Sequence, residues 1–170
     1  VIKNSEIIDQ AKNVTTLEYD DIGRLVSKKF ADGAEVTYEY DAVGNVITET
    51  NPKGGVMIKT YDAMGNVLTM TESGHTTTYE YDPMSRVTKM TNAVNGITVY
   101  EYSSAGDLLS ESDPMGNRRR YTYDAYGNRL TMTDPNGNET GYTYDDNNNL
   151  LTVTDPLQHD MTYTYNNLNQ

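Results

Sequence analysis

A tyrosine returns at a nearly fixed interval through almost the whole chain. Tyr19, Tyr40, Tyr61, Tyr81, Tyr102, Tyr123, Tyr144 and Tyr165 are separated by 21, 21, 20, 21, 21, 21 and 21 residues. A period that short holds one supersecondary unit, too small to bury a face alone, so such a chain folds by stacking neighbouring copies. An acid follows the tyrosine at Asp20, Asp41, Asp62, Asp82, Asp124 and Asp145, with Ser103 and Asn166 keeping the place in the other two units. Four residues after the tyrosine stand Gly23, Gly44, Gly65, Gly106 and Gly127, replaced elsewhere by Ser85, Asn148 and Asn169. Seven residues after it the chain is apolar at Val26, Ile47, Leu68, Leu109, Leu130 and Leu151, with Thr88 the exception. A second tyrosine precedes the first by two residues at Tyr38, Tyr79, Tyr100, Tyr121, Tyr142 and Tyr163. The domain reading is therefore a degenerate lead-in at residues 1–18, then about seven tandem units over 19–170, the last one truncated.

Within a unit the period is two. Leu68-Thr69-Met70-Thr71, Leu130-Thr131-Met132-Thr133 and Leu151-Thr152-Val153-Thr154 alternate apolar and hydroxyl side chains, and Tyr121-Thr122-Tyr123 alternates aromatic and hydroxyl. Successive side chains of a strand point to opposite faces, so this alternation predicts half-exposed strands. Between the strands lie turn signals. One is the Tyr-Asp step itself; the other falls mid-unit, as in Asp113-Pro114-Met115-Gly116-Asn117 and Asp134-Pro135-Asn136-Gly137-Asn138. An acid that caps a bend and a residue that tolerates positive φ are what a tight hairpin turn needs. Each unit is one antiparallel β-hairpin, and the fold class is all-β: about fifteen strands in a meander that forms a curved or spiralling strip. One face is expected to carry Leu, Met, Val and Tyr, the other Thr, Glu and Lys. Outside residues 1–18 no segment has the apolar stripe a helix requires.

Composition fits this reading. The chain has 15 Tyr, 23 Thr, 17 Asn and 13 Gly against one Phe and no Trp. Thr and Tyr favour strands, while Asn and Gly favour turns. Tyrosine buries ring area while its hydroxyl reaches a backbone group or water, so its near-exclusive use predicts a partly wet face. A net charge of -12 opposes binding to nucleic acid phosphates. No apolar run is long enough for a membrane helix, so no membrane insertion is expected. With no cysteine, disulfides and thiolate chemistry are absent. Val1 opens without a leader pattern and Gln170 falls in mid-pattern, which reads as a piece of a longer chain.

A Tyr-Asp step with glycine four residues on, an aliphatic at seven and Asp-Pro-x-Gly near twelve resembles the YD (Rhs) repeat, and the likeness covers residues 19–170. That family comprises bacterial Rhs and wall-associated polymorphic toxins, shell subunits of insecticidal toxin complexes, and teneurins. The resemblance implies a hairpin strip that spirals into a hollow β-shell, enclosing a toxic C-terminal segment in the bacterial members. For the surface members it implies adhesion or carbohydrate binding. Departures from the pattern are Ser103, Asn148, Asn169 and the 20-residue unit before Tyr81.

Candidate chemistry is thin. Asp20-Asp21 and Asp145-Asp146 pair carboxylates, as general acid–base catalysis does, but the same aspartate recurs at a turn in nearly every unit. Asp113-Pro114-Met115-Gly116 and Asp134-Pro135-Asn136-Gly137 match the short string near the self-cleaving end of shells in the resembled family. Both lie in the ordinary mid-unit register, and Asp155-Pro156-Leu157-Gln158 lacks the glycine. No catalytic, cofactor-binding or metal residues are assigned, and no cofactor is expected. Calcium is the one ion whose hard oxygen chemistry the acidic turns suit, and no calcium-loop signature occurs. His75 and His159 are far apart in register and read as solvated turn residues. Arg118-Arg119-Arg120 splits between two faces of a strand and reads as a local salt link. Asn13-Val14-Thr15 and Asn138-Glu139-Thr140 match the glycosylation sequon.

The expected function is a non-catalytic wall segment of a large secreted or cell-surface protein, whose partners are the rest of its own polypeptide: further repeats and an enclosed C-terminal toxin. The alternatives are an adhesion or glycan-binding module and a strip that pairs with other copies of itself into a fibre, since its end strands are open.

Overall fold

The computed structural model describes residues 3–166, and all regular structure in them is β-strand. Contacts divide the chain into two units, Val1–Arg86 with Thr91–Val94, and Val87–Met90 with Asn95–Gln170. The first holds β1 (Lys3–Ile8), β2 (Val14–Tyr19), β3 (Leu25–Lys29), β4 (Glu35–Tyr40), β5 (Val46–Thr50), β6 (Val56–Tyr61), β7 (Val67–Glu72) and β8 (His75–Tyr81). After β9 (Val87–Thr91), the second holds β10 (Ile97–Tyr102), β11 (Leu108–Ser112), β12 (Arg118–Tyr123), β13 (Arg129–Thr133), β14 (Glu139–Tyr144), β15 (Leu150–Thr154) and β16 (Asp160–Thr162). The strands are hydrogen-bonded in chain order as one open antiparallel sheet of 16, one more than the repeat count suggests. The extra strand is β1, which pairs with β2 as a regular hairpin inside the degenerate lead-in.

The turns show why the repeated aspartate is there. The Asp41 N–H donates to the Asn45 carbonyl at 3.0 Å, and the Gly44 N–H donates back to the Asp41 carbonyl at 3.3 Å. Its carboxylate Oδ1 accepts the N–H groups of Val43, Gly44 and Asn45 at 3.0, 2.8 and 2.9 Å, while Oδ2 accepts the Asn45 side-chain amide at 2.8 Å. One side chain thus satisfies N–H groups that a three-residue hairpin loop would leave to water. Gly44 stands at φ +103, the left-handed conformation that closes such a loop. Where glycine is replaced, Ser85 (φ 62) and Asn148 (φ 63) take the same conformation. Asn169 lies outside the described residues.

The 20-residue unit has a local cause. Glu72 pairs directly with His75, leaving a two-residue loop of Ser73 (φ 51) and Gly74 (φ 78). Two successive positive φ values make the tight primed turn whose twist matches the flanking strands. The loop loses one residue and the strand register beyond it is kept.

A second regularity lies beside the Tyr-Asp turn. Tyr40 pairs with Val46 while Glu39 pairs with Thr48, so Ile47 is an extra residue in β5. The same shift leaves out Val26, Leu68, Leu109, Leu130 and Leu151. Each is the extra residue of a β-bulge, a feature that interrupts the ladder and strengthens local twist. The aliphatic seven residues after the tyrosine therefore does not continue the two-residue alternation, and Leu68, Leu109 and Leu130 are 39, 39 and 38 % exposed. Pairings across the mid-unit turns carry no such shift.

Cross-strand partners share a face, so register assigns the two sides. One side carries Tyr38 opposite Glu49, Lys59 opposite Met70, Tyr121 opposite Met132 and Tyr142 opposite Val153. The other carries Thr69 opposite Thr78, Thr71 opposite Thr76, and Thr122 opposite Thr131. Sorting is less strict than the alternation implies: Glu49, Lys59 and Arg119 sit on the tyrosine side, and Val56, Ile58 and Val99 on the threonine side. The reason is that neither side is dry. Among the described residues no hydrophobic side chain is buried, and the only buried polar ones are Ser27 and Ser110. A single layer tolerates charge on either face because water still reaches it.

Candidate functional site

The groups with distinctive geometry lie along the edge of the sheet where the Tyr-Asp turns sit. The Tyr61 hydroxyl donates to the Val46 carbonyl at 2.7 Å, and Tyr40, Tyr81, Tyr144 and Tyr165 donate likewise to the carbonyls of Leu25, Val67, Arg129 and Leu150 at 2.6, 2.8, 3.0 and 2.9 Å. Each acceptor belongs to the previous unit and immediately precedes its bulge residue. The carbonyl lies beside the break in strand pairing, and a half-buried carbonyl left without a donor is costly. The hydroxyl supplies the donor. Phenylalanine would fill the same volume without supplying that donor, which gives these five positions a reason for tyrosine beyond the partly wet face. Burial pushes the hydroxyl pKa of Tyr40, Tyr61, Tyr81 and Tyr144 up from the usual 10.0. Of the other anchors, Tyr19, Tyr102 and Tyr123 hold the same place, opposite Leu25, Leu108 and Arg129.

Adjacent turns are also tied together. Arg24 pairs with Asp20 at 2.6 Å and donates to the Asp41 carbonyl of the next turn at 3.0 Å. Asn128 bonds Asp124 at 2.9 Å and Asn148 of the next turn at 2.7 Å. Gly23, Gly44, Gly65, Gly106 and Gly127 all have positive φ.

The candidate acids are turn caps. Asp20 and Asp145 use their carboxylates within their own turns, on Arg24 and Asn149. Asp113 and Asp134, each followed by proline, cap Asn117 and Asn138 in the same way, both at 2.8 Å. Side-chain amide donation, joined by backbone N–H donation, holds Asp41, Asp62, Asp113, Asp124, Asp134 and Asp145 below the usual 3.8. A carboxylate held ionised at a loop closes the loop but is a poor proton donor. His159 Nδ1 contacts Asp155 at 2.9 Å in the last such turn, and His75 begins β8 with its ring near the Ser73 carbonyl. Among the described residues no cluster of three or more His, Asp or Glu is placed to hold a metal ion.

The arginine run divides as strand geometry requires. Arg118 pairs with Glu101 and bonds Ser110 on the threonine side, while Arg119 pairs with Glu111 at 3.1 Å on the tyrosine side. Glu111 also accepts the Tyr121 hydroxyl at 2.9 Å. Arg129 stacks over Tyr142 at 4.5 Å and Tyr121 at 6.0 Å. The salt links follow the sequence reading of the arginine run, whereas the Tyr121 bond and the Arg129 stacking were missed, because those residues meet only across strands.

These observations describe hairpin units coupled to their neighbours by one repeated link. The sequence matches the RHS Repeat family over residues 19–56, 61–97, 102–139 and 130–160. The chain belongs to the RHS repeat family. Similar solved structures include a TcdB2-TccC3-Cdc42 complex (16 % identity, TM-score 0.73, covering 98 % of this chain and 11 % of that one). The Tc holotoxin pore of Photorhabdus luminescens is also similar (19 % identity, TM-score 0.70, covering 95 % and 11 %). So is TcdB2-TccC3 (17 % identity, TM-score 0.71, covering 98 % and 12 %). Comparison with curated protein sequences finds no match. The RHS repeat chain thus has the fold of a stretch of these proteins and spans about a ninth of their length.

Proposed function

We propose that this chain is a non-catalytic segment of the wall of a β-shell, in a large secreted or surface protein, that encloses and protects a C-terminal toxin. The observation that carries the reading is the uninterrupted run of RHS hairpins, whose fold matches TcdB2-TccC3 structures over nearly the whole chain. One of the similar structures is a TcdB2-TccC3 form without a hypervariable C-terminal region. The side chains that elsewhere serve catalysis are here spent on turns, bulges and cross-strand pairs, which suits a wall. Its work is physical: a continuous hydrogen-bonded sheet leaves few exposed loops for proteases and keeps cargo apart from the producing cell.

The test is limited proteolysis of the full-length native protein with mass spectrometry of the surviving fragments. A C-terminal segment that outlasts its linkers and stays with the repeats until they are denatured is the expected result. Immediate digestion of everything beyond the repeats would sink the enclosure reading. Glycan binding is the second reading, favoured by Tyr126, which is 83 % exposed beside a depression also lined by Asn128, Asp146 and Asn148. An exposed ring with amide and carboxylate neighbours suits a sugar face and its hydroxyls. Unchanged tyrosine fluorescence across a glycan panel would remove it.

A further inference from the structure

Asparagine is followed directly by glycine at two places in the chain, Asn95-Gly96 and Asn136-Gly137. In the first, Asn95 itself holds the positive φ of its turn, at 61. In the second, Asn136 stands at the exposed tip of the turn between β13 and β14, and Gly137 closes that turn at φ +86. The Asn136 N–H donates to the Asp134 carboxylate at 2.8 Å, and the Gly137 N–H donates to the Asp134 carbonyl at 3.0 Å. No atom beyond its chain neighbours lies within 4 Å of where a Cβ at Gly137 would stand. Turn-closing asparagines are placed differently. Asn45, Asn66 and Asn138 spend their side-chain amides on the capping aspartates at 2.8 Å, and each precedes a residue with a side chain.

We propose that Asn136-Gly137 is a self-modification site, where the chain converts its own asparagine to aspartate and isoaspartate at a rate set by the Asp134 cap. The Gly137 nitrogen attacks the side-chain carbonyl carbon of Asn136. A bond forms between that nitrogen and Cγ, the bond from Cγ to Nδ2 breaks, and ammonia leaves with the proton of the Gly137 N–H. The product is a cyclic imide. Water then opens it at either carbonyl: one opening gives aspartate, the other isoaspartate, in which the main chain runs through the side-chain carbon. The step is intramolecular and needs only water, so it holds whatever lies against the turn and does not rest on the shell reading. Glycine matters because a Cβ on the following residue would crowd the attacking nitrogen. The turn opposes the attack, since that nitrogen is already a donor to the Asp134 carbonyl. Attack therefore waits for the loop to open, and the Asp134 carboxylate, which holds the Asn136 and Asn138 N–H groups at 2.8 Å, governs how often it does. Isoaspartate lengthens the main chain inside the loop and so loosens the β13–β14 hairpin at that end. Asn147 is the natural control. Its N–H donates to the Asp145 carboxylate at 2.9 Å and the next N–H to the Asp145 carbonyl at 3.0 Å, but that next residue is Asn148.

The test is incubation of the full-length native protein at mildly alkaline pH, followed by peptide mapping and an isoaspartate assay. The expected result is conversion of Asn136, read as the mass change from amide to acid, while Asn147 stays an amide. Asp134→Ala should convert Asn136 about tenfold faster, from loss of the cap's hydrogen bonds. Asp134→Asn, which keeps a capping oxygen as Asn51 does in its own turn, should fall between the two. Asn95-Gly96 in the same digests reports on the rest of the sheet. If Asp134→Ala speeds conversion there too, its fold is lost and Asp134→Asn decides. An Asn136 that stays an amide in the native protein after the same protein in denaturant has converted overturns the proposal. Equal conversion of Asn147 overturns it as well, because glycine would then not be the cause. So does an Asn136 rate that neither Asp134 variant changes. None of these outcomes bears on protection of a C-terminal segment, which the proteolysis reads separately.

Discussion

The two ends of most hairpins are built from the same three-residue turn and do different work. At both ends an Asp or its substitute caps most loops and a residue at positive φ closes them, Phe30 and the Ser73-Gly74 loop being exceptions. Among the described residues the register shifts lie at the anchor end, where tyrosines of the next unit bond the carbonyl that precedes the bulge residue. The mid-unit end is a plain reversal of the chain. This explains its variety: Asn51 caps one such turn, Asp134 another, and Ser73-Gly74 dispenses with a cap altogether. The lesson is that a hairpin repeat needs turns at both ends but needs to specify its neighbour at only one.

Extremes of pH separate the two ends most strongly. The capping aspartates have lowered pKa values because their carboxylates accept amide hydrogen bonds in the native turn. Their contribution is fully present above the ordinary value of 3.8 and is lost as pH falls below it, at both ends together. The anchor tyrosines have raised pKa values because of burial, so their contribution is present below 10.0 and is lost as pH rises above it, mainly at the anchor end. Tyr121 on Glu111 is the one raised tyrosine off that edge among the described residues. Amide exchange followed turn by turn should therefore show uniform loosening in acid and, away from Tyr121, loosening concentrated at the anchor edge in alkali. Uniform loosening in alkali would break the comparison.

Tyr61→Ala should destabilise by about 2–3 kcal/mol, from lost ring packing and a bare Val46 carbonyl, and Tyr61→Phe by about 1 kcal/mol from the carbonyl alone. Denaturant titration measures both, and an unchanged Tyr61→Phe would refute the bulge-carbonyl account. Gly127→Val and Gly137→Val force a branched residue to φ +86 at the anchor and mid-unit ends, and each should cost about 2 kcal/mol. A cost at one end alone would mean the turns are not equivalent after all. The smallest effect is expected at the two-residue loop, where Ser73→Asn supplies the favoured first residue of a primed turn and should stabilise by about 0.5 kcal/mol. A lower melting temperature for that variant would contradict the turn type.

Much of the fold is legible before any coordinates. The spacing of Tyr19 through Tyr165 gives the unit, and Asp-x-x-Gly-Asn gives its turns, because cap and closing residue lie within one short stretch of chain. The aspartates were legible as turn residues for the same reason, and Arg118 and Arg119 separate onto two faces as alternation requires. Leu130 was not legible. Its neighbours Thr131 and Met132 alternate properly, and only pairing with β12 reveals that Leu130 has no residue opposite. The hydroxyl partner of Tyr61 was equally hidden, since Val46 lies 15 residues away and the two meet only across strands.

By itself, then, the sequence determined the period, the hairpins, the turn chemistry and membership of the RHS repeat family, all of which depend on interactions within a few residues. The tertiary structure decided where the ladder breaks and which carbonyl each bonded tyrosine reaches. Those depend on strand register, and register is set between chain segments, where a shift of one residue changes every partner.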